Sequence, residues 1–187
     1  VLTSQHILSQ VVTRLDLQTN IYTVGRVNAQ LQFDNEYTRF VDLKTQNNYL
    51  YWDVEIANQK ASFTQDTLSF TINRGDVFSY KETEITLHDS LYVQDHTLII
   101  ERYPLNEAVS NLRNDLTATA ASKQGEIIDL NFVGINKKRN EAVLNTVMQV
   151  MQDDQVEDKR LISKVSLAFI NDRLDGLTKS IDTLSQN

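Results

Sequence analysis

The stretch LYWDVEI, residues 50–56, places Leu50, Trp52, Val54 and Ile56 at every second position, with Tyr51, Asp53 and Glu55 between them. Successive side chains of a β-strand point to opposite faces, so this spacing gives one apolar face and one polar face. The same period returns at Val27, Ala29, Leu31 and Phe33, at Leu68, Phe70 and Ile72, at Ile85 and Leu87, and over residues 97–103. Polar clusters such as Gln46-Asn47-Asn48 and Asn73-Arg74-Gly75-Asp76 separate the runs. The middle of the chain therefore predicts antiparallel strands with one wetted face.

Outward from this middle the period becomes helical. Ser4 is placed to cap a first helix in which Ile7, Leu8, Val11, Val12 and Leu15 form one stripe. Pro104 stands where a first helical turn tolerates it, ahead of a short stripe of Leu105, Ala108, Val109 and Leu112. Residues 116–135, LTATAASKQGEIIDLNFVGI, read as two strands around a Lys123-Gln124-Gly125 turn, with Ile128, Leu130 and Phe132 inward. From about Asn136 the pattern is helical, with Val143, Leu144, Val147, Met148 and Met151 on one stripe. Beyond a charged stretch, Leu167, Ile170, Leu174, Leu177, Ile181 and Leu184 recur at alternating spacings of three and four, the a/d seam of a coiled coil. The expected fold is α+β: an antiparallel or mixed sheet packed with helices, from which a long C-terminal coiled-coil-like helix extends. Residues 1–187 read as a single domain, with an α+β base over 1–135 and the long helix over 136–187. A start at Val1 and a seam that runs to Asn187 without a Gly or basic closing turn are what a piece of a longer protein would show.

Bulk composition narrows the function classes. The apolar fraction of 41% and charged fraction of 23% are those of a folded domain. A net charge of −7 argues against a general nucleic-acid binder, which needs a basic face to neutralise phosphates. With no cysteine, disulfides, thiolate zinc sites and thiol catalysis are excluded. There is no phosphate-cradling G-x-x-x-x-G-K-[ST] loop and no G-x-S-x-G elbow, and the three histidines, His6, His88 and His96, are scattered. Asp95-His96 is a lone acid/base pair without a third group to orient it. No catalytic site, metal or cofactor is expected.

Three clusters stand out as contact candidates. Asp153, Asp154, Glu157 and Asp158 gather carboxylates that would suit a hard cation, or else form a solvated face or a break between two helices. Lys137, Lys138 and Arg139 crowd a helix start, where the macrodipole disfavours cations, and are suited to an anionic sugar, a lipid phosphate or the Asp153-Asp154 cluster of a neighbouring subunit. Alternatively the helix begins with Asn140 as N-cap and the three basic residues lie in a turn. Tyr49 and Tyr51 offer flat rings for stacking on sugars, on the face opposite Trp52, which alternates into the core.

Three segments, in this order, resemble the chain-length determinant family of polysaccharide co-polymerases, of the Wzz and Wzc type. VLTSQHILSQVVTRLDL is similar to the family's first helix, with Val1, Leu2, Ser4, Ile7, Leu8, Val11, Val12, Leu15 and Leu17 in its apolar and Ser positions. YPLNEAVSNLRNDLTATAASKQGEIIDLNF is similar to the helix and two strands that follow in the family. In GINKKRNEAVLNTVMQVMQDD, Ala142, Leu144 and Asn145 match the start of the family's long helix, which AFINDRLDGLTKSID continues. Two departures accompany the match: Lys137-Lys138-Arg139 stands where the family often has Pro, and residues 18–95 correspond only loosely.

The resemblance implies a non-enzymatic periplasmic domain of a bacterial inner-membrane protein, with transmembrane helices on both sides of it. Such domains assemble as homo-oligomeric rings, act with the polysaccharide polymerase or export machinery, and govern the length of O-antigen, capsule or exopolysaccharide chains. In the Wzc type a cytoplasmic tyrosine kinase follows. The seam residues Ile170, Leu174, Leu177, Ile181 and Leu184 would then meet a partner helix, and direct polysaccharide contact is a further expectation. A periplasmic adaptor, or membrane-fusion domain, of an export system is the alternative architecture. It would carry lipoyl-like half-motifs, which the sequence lacks.

Overall fold

The computed structural model describes residues 4–44, 48–80, 83–120 and 128–185, with side chains over the same ranges except 36, 40, 120 and 177–185. In chain order the elements begin with α1 (Gln5–Arg14), β1 (Thr19–Val24), β2 (Ala29–Gln32), α2 (Glu36–Phe40), β3 (Val41–Lys44), β4 (Leu50–Ala57), β5 (Lys60–Gln65) and β6 (Leu68–Asn73). They continue with β7 (Val77–Tyr80), β8 (Thr83–Leu87), a 3₁₀ turn (Asp89–Val93), β9 (His96–Arg102), α3 (Leu105–Asp115), β10 (Leu116–Ala120), β11 (Ile128–Phe132) and α4 (Lys137–Ser185). The fold is α+β, with antiparallel sheets and a long C-terminal helix. The chain forms two compact units, Val1–Val147 and Met148–Asn187.

In the first unit six strands pair in the order β2-β1-β9-β4-β5-β6, and three more in the order β3-β8-β7. The alternation at residues 50–56 works as its period requires: Leu50, Trp52, Val54 and Ile56 are buried, while Tyr51, Asp53 and Glu55 face the other way. Opposite them β9 buries Leu98 and Ile100, and β5 buries Ala61 and Phe63. Phe78 from β7 and Ile85 and Leu87 from β8 join the same core. Trp52 is its centre, with edge-on contacts to Phe63, Phe70, Phe78 and Tyr80 at centroid distances of 6.3, 6.0, 5.0 and 5.5 Å. Phe63 and Phe78 stack face to face at 4.1 Å, which ties the three-stranded sheet to the six-stranded one.

Ser4 caps α1, its Oγ accepting from the Ile7 amide at 3.4 Å, and Ile7, Leu8, Val11 and Val12 are buried. Leu15 closes the helix as its C-cap instead of extending the stripe. The chain packs α3 against α1, burying Ala108, Val109 and Leu112. Pro104 precedes α3 as its cap residue.

Several expectations need correction. The basic residues do not lie in a turn before an Asn140 cap: α4 starts at Lys137, and Asn136 caps it, its Oδ1 accepting from the Arg139 amide at 3.1 Å. Asn140 is spent elsewhere, its Nδ2 donating to the Gly134 carbonyl at 2.8 Å. The buried stripe of α4 is Val143, Val147 and Val150, whereas Met148 is 46% exposed, because the apolar face turns by one position from the one read in sequence. The acidic stretch at Asp153 and Asp154 does not break the helix. Ile128 is exposed although it shares its strand face with Leu130 and Phe132, since it sits at the far end of the β10–β11 hairpin. Val27 lies outside any strand and is exposed. The Lys123-Gln124-Gly125 turn lies outside the described residues.

Candidate functional site

Strand register places a polar and aromatic patch on the outer face of the six-stranded sheet. Glu101 on β9 pairs with Asn20 on one side and Tyr51 on the other. In the adjoining row Tyr22 and Asp53 flank Ile99. Past the end of β9, Tyr103 meets Tyr49 with ring centroids 5.3 Å apart. Tyr103 donates its hydroxyl to Glu101 Oε2 at 3.3 Å, and Tyr51 donates to Asp53 Oδ1 at 2.9 Å.

Burial and the shared Glu101 charge favour the protonated form of all four tyrosines. Burial pushes Tyr103 up to about 12, with the Glu101 charge adding to it. Burial also raises Tyr51 to about 12, helped by its hydrogen bond to Asp53. Tyr22 and Tyr49 move up for the same first reason, burial, and then through Glu101. All four therefore stay neutral hydroxyls that donate and accept at physiological pH.

Beside this patch lies a cavity of about 440 Å³. Its walls are Asn20, Tyr22 and Tyr103 from the sheet side, Leu112 and Asp115 from α3, and Gly134, Arg139 and Asn140 at the start of α4. Asn136 anchors the α4 start to the sheet, its Nδ2 donating to the Leu31 carbonyl at 2.9 Å. At the rim, a side chain in place of Gly134 would meet Asn140 Oδ1 and press on the Phe132 ring, so Asn140 would have to shift. Burial lowers the Arg139 pKa, offset in part by Tyr22 and Asp115, yet no carboxylate pairs with its guanidinium among the described residues. Arg139 Nε, Asn20 Oδ1 and Asn140 Oδ1 are buried without a hydrogen-bond partner. Three unsatisfied polar atoms around one cavity mark it as unusual, because each costs roughly 1–3 kcal/mol in a folded protein.

The other predicted residues fall elsewhere. Lys137 is exposed and reaches Glu141 at 3.7 Å, one turn along the helix, and Lys138 is exposed beside it. Only Arg139 of the three turns inward. Asp153 and Asp154 sit on α4 in the second unit, with Glu157 and Arg160 3.7 Å apart one turn further on. Among the described residues no three metal-capable side chains converge. Ile170 and Leu174 are 51% and 55% exposed, and the side chains of Leu177, Ile181 and Leu184 lie outside the described residues. Asp95 and His96 do not form an acid/base pair: Asp95 Oδ1 accepts from the Asn58 amide at 3.3 Å, while His96 Nδ1 bonds the Gln94 carbonyl at 2.8 Å.

Sequence reasoning picked out Tyr49, Tyr51 and Arg139 but missed Tyr22, Tyr103, Glu101 and Asn20. The available signal was parity: Glu101 and Tyr103 occupy the polar positions of the run at 97–103. Among the described residues no helix is long and apolar enough to cross a membrane. No protein-family model and no curated protein sequence matches this chain.

Proposed function

We propose that this chain is the periplasmic assembly domain of an inner-membrane polysaccharide co-polymerase of the chain-length determinant type. Its work is geometric. Subunits pack side by side, and the assembly's contacts with the polymerase or export machinery govern how long a capsular, exo- or O-antigen polysaccharide grows. The observation that carries the reading is the order of elements: a capped helix, an antiparallel sheet, a short Pro-led helix, a hairpin, and then the 49-residue α4. That is the order in which the three family-like segments occur. Exposed apolar residues along α4, among them Leu167, Ile170 and Leu174, supply the kind of row that a partner helix covers.

The test is genetic. Deleting the gene and separating the surface polysaccharide by size should show an altered length distribution, restored by the intact gene. An unchanged distribution with loss of drug or protein export would replace this reading with the export-adaptor one.

A further inference from the structure

Arg139 is a half-buried guanidinium lining a cavity, and its Nε is buried without a hydrogen-bond partner. Among the described residues no carboxylate forms an ion pair with it, Asp115 on the same wall acting on it only through its charge. Charges withdrawn from water are ordinarily paired, and an unpaired one in a cleft marks a place where the missing partner arrives from outside. The rest of the surroundings narrow that partner. Arginine's planar fork fits a carboxylate bidentately. Asp115 on the cavity wall and Glu101 on the adjoining face would repel a dianionic phosphate more strongly than a single carboxylate.

Tyr49 supplies the second half. It is 51% exposed, and its ring leans on Tyr103, which lines the cavity itself. An apolar ring face next to hydroxyl, amide and carboxylate groups matches a sugar ring, which has apolar C–H faces and a rim of hydroxyls. The hydroxyls of Tyr51 and Tyr103, each already bonded to a carboxylate, can still accept from that rim. A cavity of about 440 Å³ lies within the range of small-molecule sites. Lys137 and Lys138 beside it are exposed, and Arg139 is the one cation among the described residues that lines the cavity, a point contact for one acidic group within a mostly neutral ligand.

We propose that the Glu101 face and the Arg139 cavity together bind a saccharide segment that carries a carboxylate, such as a uronic acid residue. Tyr49 and Tyr103 hold the ring of one sugar, and Arg139 takes the carboxylate of a neighbouring or the same residue. This inference deepens the chain-length reading and rests on it: the domain would touch the polymer whose length it governs.

Isothermal titration of this chain with trigalacturonate and with maltotriose, a neutral oligomer of equal length, tests it. Trigalacturonate should bind saturably, at least about tenfold tighter than maltotriose, since a charge-assisted bidentate contact separates the two ligands. Arg139→Gln should remove that preference, and Tyr49→Ala should weaken both sugars at a residue too exposed to disturb folding. Asp115→Asn, which removes the cavity-wall carboxylate whose charge acts on the guanidinium, should tighten trigalacturonate binding and keeps the test decisive if Arg139→Gln does not fold. No saturable binding, equal affinities for the two sugars, or a preference that survives Arg139→Gln would each overturn the site. The two proposals fail separately: sugar binding with unaltered polymer length in the deletion strain removes the chain-length reading and leaves the site. Altered length without sugar binding removes the site and leaves the reading.

Discussion

Replacing Phe78 with Ala should loosen the joint between the two sheets. Phe78 is 2% exposed, stacks on Phe63 at 4.1 Å and meets Trp52 edge-on at 5.0 Å. It comes from β7, at the edge of the three-stranded sheet, so the substitution removes one of the rings, beside Tyr80, by which that sheet reaches into the shared core. The lost transfer energy and the cavity left behind amount to about 3–5 kcal/mol for a buried Phe. That is a large part of the roughly 5–15 kcal/mol by which a domain is stable. Urea unfolding followed by tryptophan emission is the natural assay, because Trp52 is the only tryptophan and lies in the same cluster. With a slope near 2 kcal/mol per molar urea, the midpoint should fall by about 2 M. Phe78→Leu keeps most of the volume and should cost only about 1–1.5 kcal/mol. Val77→Ala, at an exposed position on the same strand, should change stability by less than about 0.5 kcal/mol. A loss under about 1 kcal/mol for Phe78→Ala would refute the reasoning, since the two sheets would then be held together by something other than this aromatic stack.

Gly134→Ala should lower the thermal midpoint, with a cost of about 1–3 kcal/mol, because the added methyl meets Asn140 Oδ1 and lies 3.1 Å from the Phe132 ring. A melting curve that matches the parent would show that the α4 start gives way freely. Tyr51 and Tyr103 keep their protons to about 12 in the folded chain. The unfolded tyrosines titrate near 10, so above that pH the unfolded state holds fewer protons and folding stability declines. The stabilisation is complete below about pH 10 and is lost as pH rises toward 12, which denaturation midpoints measured across this window would reveal. Glu101→Gln should lower both tyrosine midpoints in an ultraviolet titration while leaving them above the free value, because burial is the larger cause. Lys138→Glu should weaken association of the full-length protein in sedimentation if the basic start of α4 meets a neighbour's acidic stretch. An unchanged assembly would count against that contact.

Much of the fold is legible residue by residue. Ser4 and the Ile7-Leu8-Val11-Val12 stripe announce α1, and Leu50, Trp52, Val54 and Ile56 announce a strand with a buried face. The Asn73-Arg74-Gly75-Asp76 turn is equally plain: Gly75 takes φ of +86°, and Asp76 Oδ2 accepts from the Asn73 amide at 3.1 Å. Short elements escaped. β3 and β7 have only four residues each, too few for a period to stand out, and α2 is a single capped turn. The tight turn between β4 and β5 uses Asn58 and Gln59 at positive φ, where Gln gives no signal of the kind that Asn-Gly does.

The candidate site divides along the same line. Tyr51 on the polar face of its strand and Arg139 near a helix start could be read locally, because side-chain direction follows from a period of 2 or 3.6 residues. Their neighbours could not. Glu101 meets Asn20 and Tyr51 only because β9 lies between β1 and β4, an order set by which apolar faces bury best together over long separations in sequence. Likewise the inward turn of Arg139 depends on where the Asn136 cap begins α4, and on α3 closing the opposite wall of the cavity. By itself the sequence determined the kinds of element and their buried faces, since periodicity and capping are local. Only the tertiary structure decided that four tyrosines, Glu101 and Arg139 share a surface, because strand order and helix docking arise from packing between residues far apart along the chain.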